Sequence, residues 1–104
     1  MELSITTTNT EDAASIKVVG EVDVSNAQSL RAAIEKALRD DARIVEVDMA
    51  DVPYIDSTGI GVLVASAHQA QASSSRLVVT NPQRNVARVF SILGVDAELG
   101  LGEK

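Results

Sequence analysis

The sequence contains no cysteine, which excludes disulfides, thiolate chemistry and zinc–sulfur sites together. Aromatic residues are only 2% of the chain, Tyr54 and Phe90, which argues against a stacking surface for single-stranded nucleic acid. Basic residues are scarce as well: Lys+Arg 9 against Asp+Glu 15 gives a net charge of -6. A chain of that balance without a basic cluster repels phosphate backbones and anionic lipid surfaces, so neither nucleic acid nor membrane is expected as a partner. No apolar run approaches the ~20 residues that a membrane-spanning helix needs. The opening "MELSITTTNTEDAAS" has neither the basic start nor the apolar centre of a signal peptide. A cytoplasmic protein is the expectation.

What the chain does have is aliphatic residues. Hydrophobic residues make up 45% of its 104 positions, enough for a core that Val, Ile, Leu and Ala must build. That composition suits a sheet covered by helices, and the length suits one domain spanning 1–104.

The periodicities give an order. "LSITT", Leu3 to Thr7, alternates apolar and polar residues as a half-buried strand does, and "SIKVVGEVDV", Ser15 to Val24, is a second β-rich run. The short polar link between them predicts an antiparallel hairpin, and Gly20 inside the second run predicts a bulge or a close backbone approach. "SNAQ" reads as a capping box with Ser25 at the N-cap and Gln28 reaching back, ahead of a stripe of Ala27, Leu30, Ile34, Ala37 and Leu38. "RIVEVDM", Arg43 to Met49, is the third strand. Ile60, Leu63, Val64 and Ala67 mark a second helix, and "RLVVT" a fourth strand. Asn81 followed by Pro82 predicts the start of a third helix with a stripe of Val86, Val89, Phe90 and Leu93, ended by Gly94. "VDAELGL" reads either as a short last strand or as an irregular tail. The fold class is α/β: a single mixed sheet, with an N-terminal antiparallel hairpin, then βαβαβ-type units with right-handed crossovers and helices packed on the sheet.

The stretch that asks for a function is "YIDSTGIG", Tyr54 to Gly61. In one reading Asp56 or Ser57 caps the second helix and Gly59 lets the backbone turn. In the other Ser57 is displayed to a partner: it sits at a strand-to-helix turn, Gly59 and Gly61 strip bulk from the next turn so that another chain can approach, and two capping residues stand where one suffices. Catalytic use of Ser57 finds no support. His68, the only histidine, lies about three turns along the same helix, no G-x-S-x-G elbow is present, and Lys17, Lys36 and Lys104 have no local sign of a Ser–Lys pair. "STGIG" lacks the GK[ST] ending of a phosphate-binding loop, and Asp48, Asp51 and Asp56 lack metal-ligand spacing. Neither an enzyme nor a bound cofactor is expected.

"GEVDVSNAQSLR", "VDMADVPYIDSTGIGVLV" and "LVVTNPQRNVARVFSILGVD", in that order, resemble a STAS domain of the anti-sigma factor antagonist type over nearly the whole chain. The resemblance implies a regulator rather than an enzyme. Ser57 would be the phosphoacceptor of a partner that is both anti-sigma factor and serine kinase, and a metal-dependent serine phosphatase would restore the bare form. Glu21, Asp23, Ser25, Asp56, Thr58, Gly59, Ile60 and Gly61 would form the partner-binding surface, with Asp23 near Ser57. The unphosphorylated form would bind the anti-sigma factor and free the sigma factor. The competing expectation is a STAS docking or regulatory subunit of another assembly: a lipid transporter, a stress-sensing complex or a partner switch without a sigma factor.

Overall fold

The computed structural model describes residues 3–101. Four strands and three helices follow in the order β1 (Ser4–Asn9), β2 (Ala13–Val19), α1 (Ala27–Arg39), β3 (Ile44–Asp51), α2 (Ser57–Ala72), β4 (Arg76–Thr80) and α3 (Arg84–Leu93). The strands form one sheet in sequence order, β1-β2-β3-β4. β1 and β2 are the antiparallel hairpin, while β2–β3 and β3–β4 run parallel. This is the mixed sheet that the alternation of strand and helix patterns predicted.

The period of two decides which face is buried. Ala14, Ile16 and Val18 of β2, Val45, Val47 and Met49 of β3, and Leu77 and Val79 of β4 are all buried. Two successive crossovers between parallel strands carry α1 and α2, which pack against each other. Leu30 and Ile34 of α1 and Leu63 of α2 close the core with zero exposure, and His68 sits on the outer side of α2. On α1, Arg31 pairs with Glu35 at 3.1 Å and Lys36 with Asp40 at 2.8 Å, both exposed and worth a few tenths of a kcal/mol each at about the usual i,i+4 value.

Three expectations from the sequence need correction, each for a local reason. The second strand stops at Val19 instead of Val24. Its register against β3 shifts between Lys17 and Val19, and Gly20 then adopts φ 116, a conformation that turns the chain out of the ladder. Val22 returns only for an isolated parallel bridge with Ile55. The first helix is not capped by Ser25: its N-cap is Asn26, with no side-chain cap bond. The Ser25 hydroxyl instead donates to the Asp23 carboxylate, a charged acceptor two residues back that outcompetes the helix amides.

The third helix starts at Arg84 with Gln83 at the N-cap, not at Asn81–Pro82. Asn81 takes a left-handed φ of 55, and three side chains reach back towards β3 and the loop after it: Asn81 to Asp48, Gln83 to the Ala50 carbonyl and Asn85 to the Pro53 carbonyl. Of its expected stripe, Val86 and Phe90 are buried, whereas Val89 and Leu93 are exposed. Gly94 does end the helix, in the left-handed conformation at φ 72. The segment after it is a series of turns rather than a strand. It is still anchored, since the Val79 amide donates to the Leu99 carbonyl at 2.8 Å and Leu99 is fully buried.

Candidate functional site

The parallel strands deliver their C-terminal ends to one rim of the sheet, and α2 begins there. Asp56 is its N-cap, extended at φ -93 and ψ 180, and its side chain accepts from the Gly59 amide at 3.0 Å. The choice left open between Asp56 and Ser57 is thereby settled: the aspartate caps. Ser57 is released to the first helical position, where it is exposed and its hydroxyl has no hydrogen-bond partner among the described residues. The N–H groups of Ser57 and Thr58 have no intrahelical acceptor, so the helix presents donors and the positive end of its dipole beside that hydroxyl.

A second segment is bound to this turn. The Val22 amide donates to the Tyr54 carbonyl and the Asp56 amide to the Val22 carbonyl, both at 3.0 Å. The other carboxylate oxygen of Asp56 accepts from the Val24 amide at 3.2 Å. Glu21 to Asn26 is thus a tight loop fixed alongside the start of α2. Within it, the Asp23 carboxylate accepts from the Ser25 hydroxyl and amide, Asn26 Oδ1 accepts from the Asp23 amide, and Asn26 Nδ2 donates to the Glu21 carbonyl.

The Ser25 hydroxyl, then the Ser25 amide, hold the Asp23 pKa below the ordinary carboxylate value. The part-exposed carboxylate therefore stays ionised at neutral and mildly acidic pH. Because the folded pKa is the lower one, its contribution is present above the ordinary carboxylate value and lost as pH falls through the folded value. Ser25→Ala is expected to move the Asp23 pKa upwards towards that ordinary value. An NMR titration of the Asp23 carboxyl carbon checks this, and an unchanged midpoint would contradict the assignment.

Of the residues singled out in the sequence, Glu21, Ser25, Thr58 and Gly61 are exposed, and Asp23 and Asp56 are half-buried. Gly59 and Ile60 are buried. The expectation that Gly59 strips bulk for an incoming chain needs correcting: a Cβ there would lie 2.7 Å from both Ile55 Cγ1 and Val22 Cγ1, so its smallness serves the packing inside. Gly61, by contrast, has nothing within 4 Å of where a Cβ would stand and is open to solvent.

The sequence reading missed Val24 and Tyr54, which are 73% and 49% exposed beside the site. Val24 had been placed inside a strand. The signal that could have found it is Gly20, after which an apolar residue need not point inwards. Lys17 and Lys36 are paired with Asp51 and Asp40, and Lys104 lies outside the described residues. Asp48 accepts from the Ala50 amide and from Asn81, so it and Asp51 are engaged away from Asp56.

The chain is a four-stranded sheet that opens with an antiparallel hairpin, with Ser57 exposed at the start of the helix between β3 and β4. The family model described as "Mlab, STAS domain" matches residues 5–102, and the chain belongs to the STAS domain family. The anti-sigma-B factor antagonist of Staphylococcus epidermidis is 30% identical over 95 residues, covering 91% of this chain and 88% of that protein. An anti-sigma factor antagonist from Mycobacterium paratuberculosis superimposes with a TM-score of 0.80 at 20% identity, over 99% of this chain and 87% of that one. The Bacillus cell fate determinant SpoIIAA in its phosphorylated form gives 0.73 at 21% identity, over 90% of this chain and 86% of that one. At these identities the two structures establish the fold. No helix among the described residues is long and apolar enough to cross a membrane.

Proposed function

We propose that the protein is a cytoplasmic anti-sigma factor antagonist, one STAS domain over 1–104, switched by phosphorylation of Ser57. In the bare form it binds an anti-sigma factor that is also a serine kinase, and the sigma factor is released. In the kinase reaction the Ser57 Oγ–P bond forms as the γ-phosphoryl group leaves ADP, and the hydroxyl proton passes to a base on the kinase. The modified form no longer binds. A metal-dependent serine phosphatase hydrolyses the ester and resets the switch.

One observation carries this reading. Asp56 does the capping, which leaves the adjacent hydroxyl of Ser57 exposed and unengaged at the helix start. The curated relative at 30% identity is an anti-sigma-B factor antagonist, and a fold relative exists in a phosphorylated form, both of which support it. The partner surface comprises Glu21, Asp23, Ser25, Thr58 and Gly61 at the surface, with Asp56, Gly59 and Ile60 supporting the turn from beneath.

Incubation with Mg-ATP and an anti-sigma factor serine kinase tests the reading. One phosphate should appear on the peptide containing Ser57 and disappear in Ser57→Ala. Transfer to Thr58 instead, or persistence of the phosphate in Ser57→Ala, would contradict it.

A further inference from the structure

The Asp56 side chain hydrogen-bonds to both halves of the site. Its Oδ1 accepts from Gly59, inside the first turn of α2, at 3.0 Å, and its Oδ2 accepts from Val24, 32 residues away in sequence, at 3.2 Å. The first bond is half-buried and reinforced by the helix, since the Ile60 amide also donates to the Asp56 carbonyl. The second is exposed and longer, and it fixes the backbone of a residue whose apolar side chain is 73% exposed. A valine held in water by a carboxylate is a rigid apolar contact offered to something else.

We propose that Asp56 is a positioning residue that couples the state of Ser57 to the Val24 loop, and that Val24 is an apolar contact of the anti-sigma partner. The inference rests on Ser57 being the phosphoacceptor. A phosphate there gains the open amides of Ser57 and Thr58 and brings two negative charges beside the Asp56 carboxylate. The carboxylate keeps its helix bond and yields the weaker one, so Val24 loses its anchor. The switch then removes an apolar contact as well as adding charge.

Asn separates the two bonds. It retains one acceptor oxygen for the Gly59 amide, but its other terminal atom is a donor and cannot accept from Val24. The test uses isotopically labelled full-length chain with phosphoserine installed at position 57 during translation, so no kinase is required. Solvent exchange of the Val24 amide, read by NMR, should be about fivefold faster in the phosphorylated chain and in Asp56→Asn, the effect of losing one hydrogen bond. The Gly59 amide should change little in either.

Phosphorylation should add nothing further at Val24 in the Asp56→Asn background, an interdependence that a merely structural aspartate would not show. Val24→Ala, which leaves the Asp56 bonds and the fold in place, should weaken binding of the kinase partner about fivefold through lost apolar contact. An unaltered Val24 amide in the phosphorylated chain overturns the coupling even if partner binding is lost. Undiminished partner binding by the phosphorylated chain overturns the switch itself, whatever the Val24 amide does.

Discussion

Ser57→Asp is expected to lower affinity for the anti-sigma partner by about tenfold or more, while Ser57→Ala stays within about twofold of the parent. Two unit charges ~4 Å apart at an effective dielectric of ~20 interact by about 4 kcal/mol. The site is exposed, so about a third of that is the relevant share, and ~1.4 kcal/mol is one decade in affinity. The new charge joins the Asp56 carboxylate and the ionised Asp23 on the face that the partner covers, and the repulsion among them grows when that face is taken out of water, which is what weakens the complex. The helix dipole offsets the repulsion by ~0.3–1 kcal/mol.

The same dipole offsets most of that repulsion within the chain, so the acidic variant should stay folded and melt within several degrees of the parent. Loss of binding by a chain that stays folded is therefore the signature. Pull-down of both variants with the anti-sigma factor reads it, and equal capture of the two would count against the account.

The second large effect concerns stability. Gly59→Ala should lower the melting temperature by several degrees, whereas Gly61→Ala, two residues on, should leave it unchanged or raise it. At position 59 the added carbon would stand 2.7 Å from Ile55 Cγ1 and Val22 Cγ1, the two residues whose bridge joins the Glu21–Asn26 loop to the start of α2. Both are core residues, so neither can swing aside into solvent. Overpacking of this kind costs about 1–3 kcal/mol, and the better helix propensity of alanine returns up to ~1 kcal/mol. For a domain of this size each kcal/mol moves the midpoint by about 4–8 °C.

At position 61 the space is open, and only the propensity gain remains. Thermal unfolding followed by circular dichroism separates the two. Equal midpoints for the two variants would mean that Val22 and Ile55 do not close on Gly59 as described. Because the clash displaces the anchoring of the loop, Gly59→Ala should also weaken partner binding even though the residue is buried.

Much of the fold was legible because it depends on short-range periodicity. The alternation in β2 and β4, the stripes of α1 and α2 and the glycine stop of α3 are properties of windows shorter than a dozen residues. What escaped was decided by acceptors distant in sequence or by competition among polar neighbours. Ser25 has the composition of an N-cap, yet the Asp23 carboxylate claims its hydroxyl. Asn81 and Pro82 have the composition of a helix start, yet Asn81, Gln83 and Asn85 bond to residues 32 or 33 positions earlier and move the start to Arg84.

The candidate site shows the same division. That "DST" contains a cap beside a second residue of capping type was readable in the sequence. That Asp56 is the cap, and that its second oxygen reaches Val24, depends on a bridge between Val22 and Ile55 that no local pattern announces. Gly59 and Gly61 look equivalent in the sequence, but one faces the core and the other faces water.

The whole reading depends on one chemical event changing one affinity. Isothermal titration of the cognate anti-sigma factor with bare chain, and with chain carrying a single phosphate on Ser57, measures it directly. The account predicts tight one-to-one binding by the bare form and at least about tenfold weaker binding by the ester, with both forms folded. Indistinguishable dissociation constants for the two would contradict it.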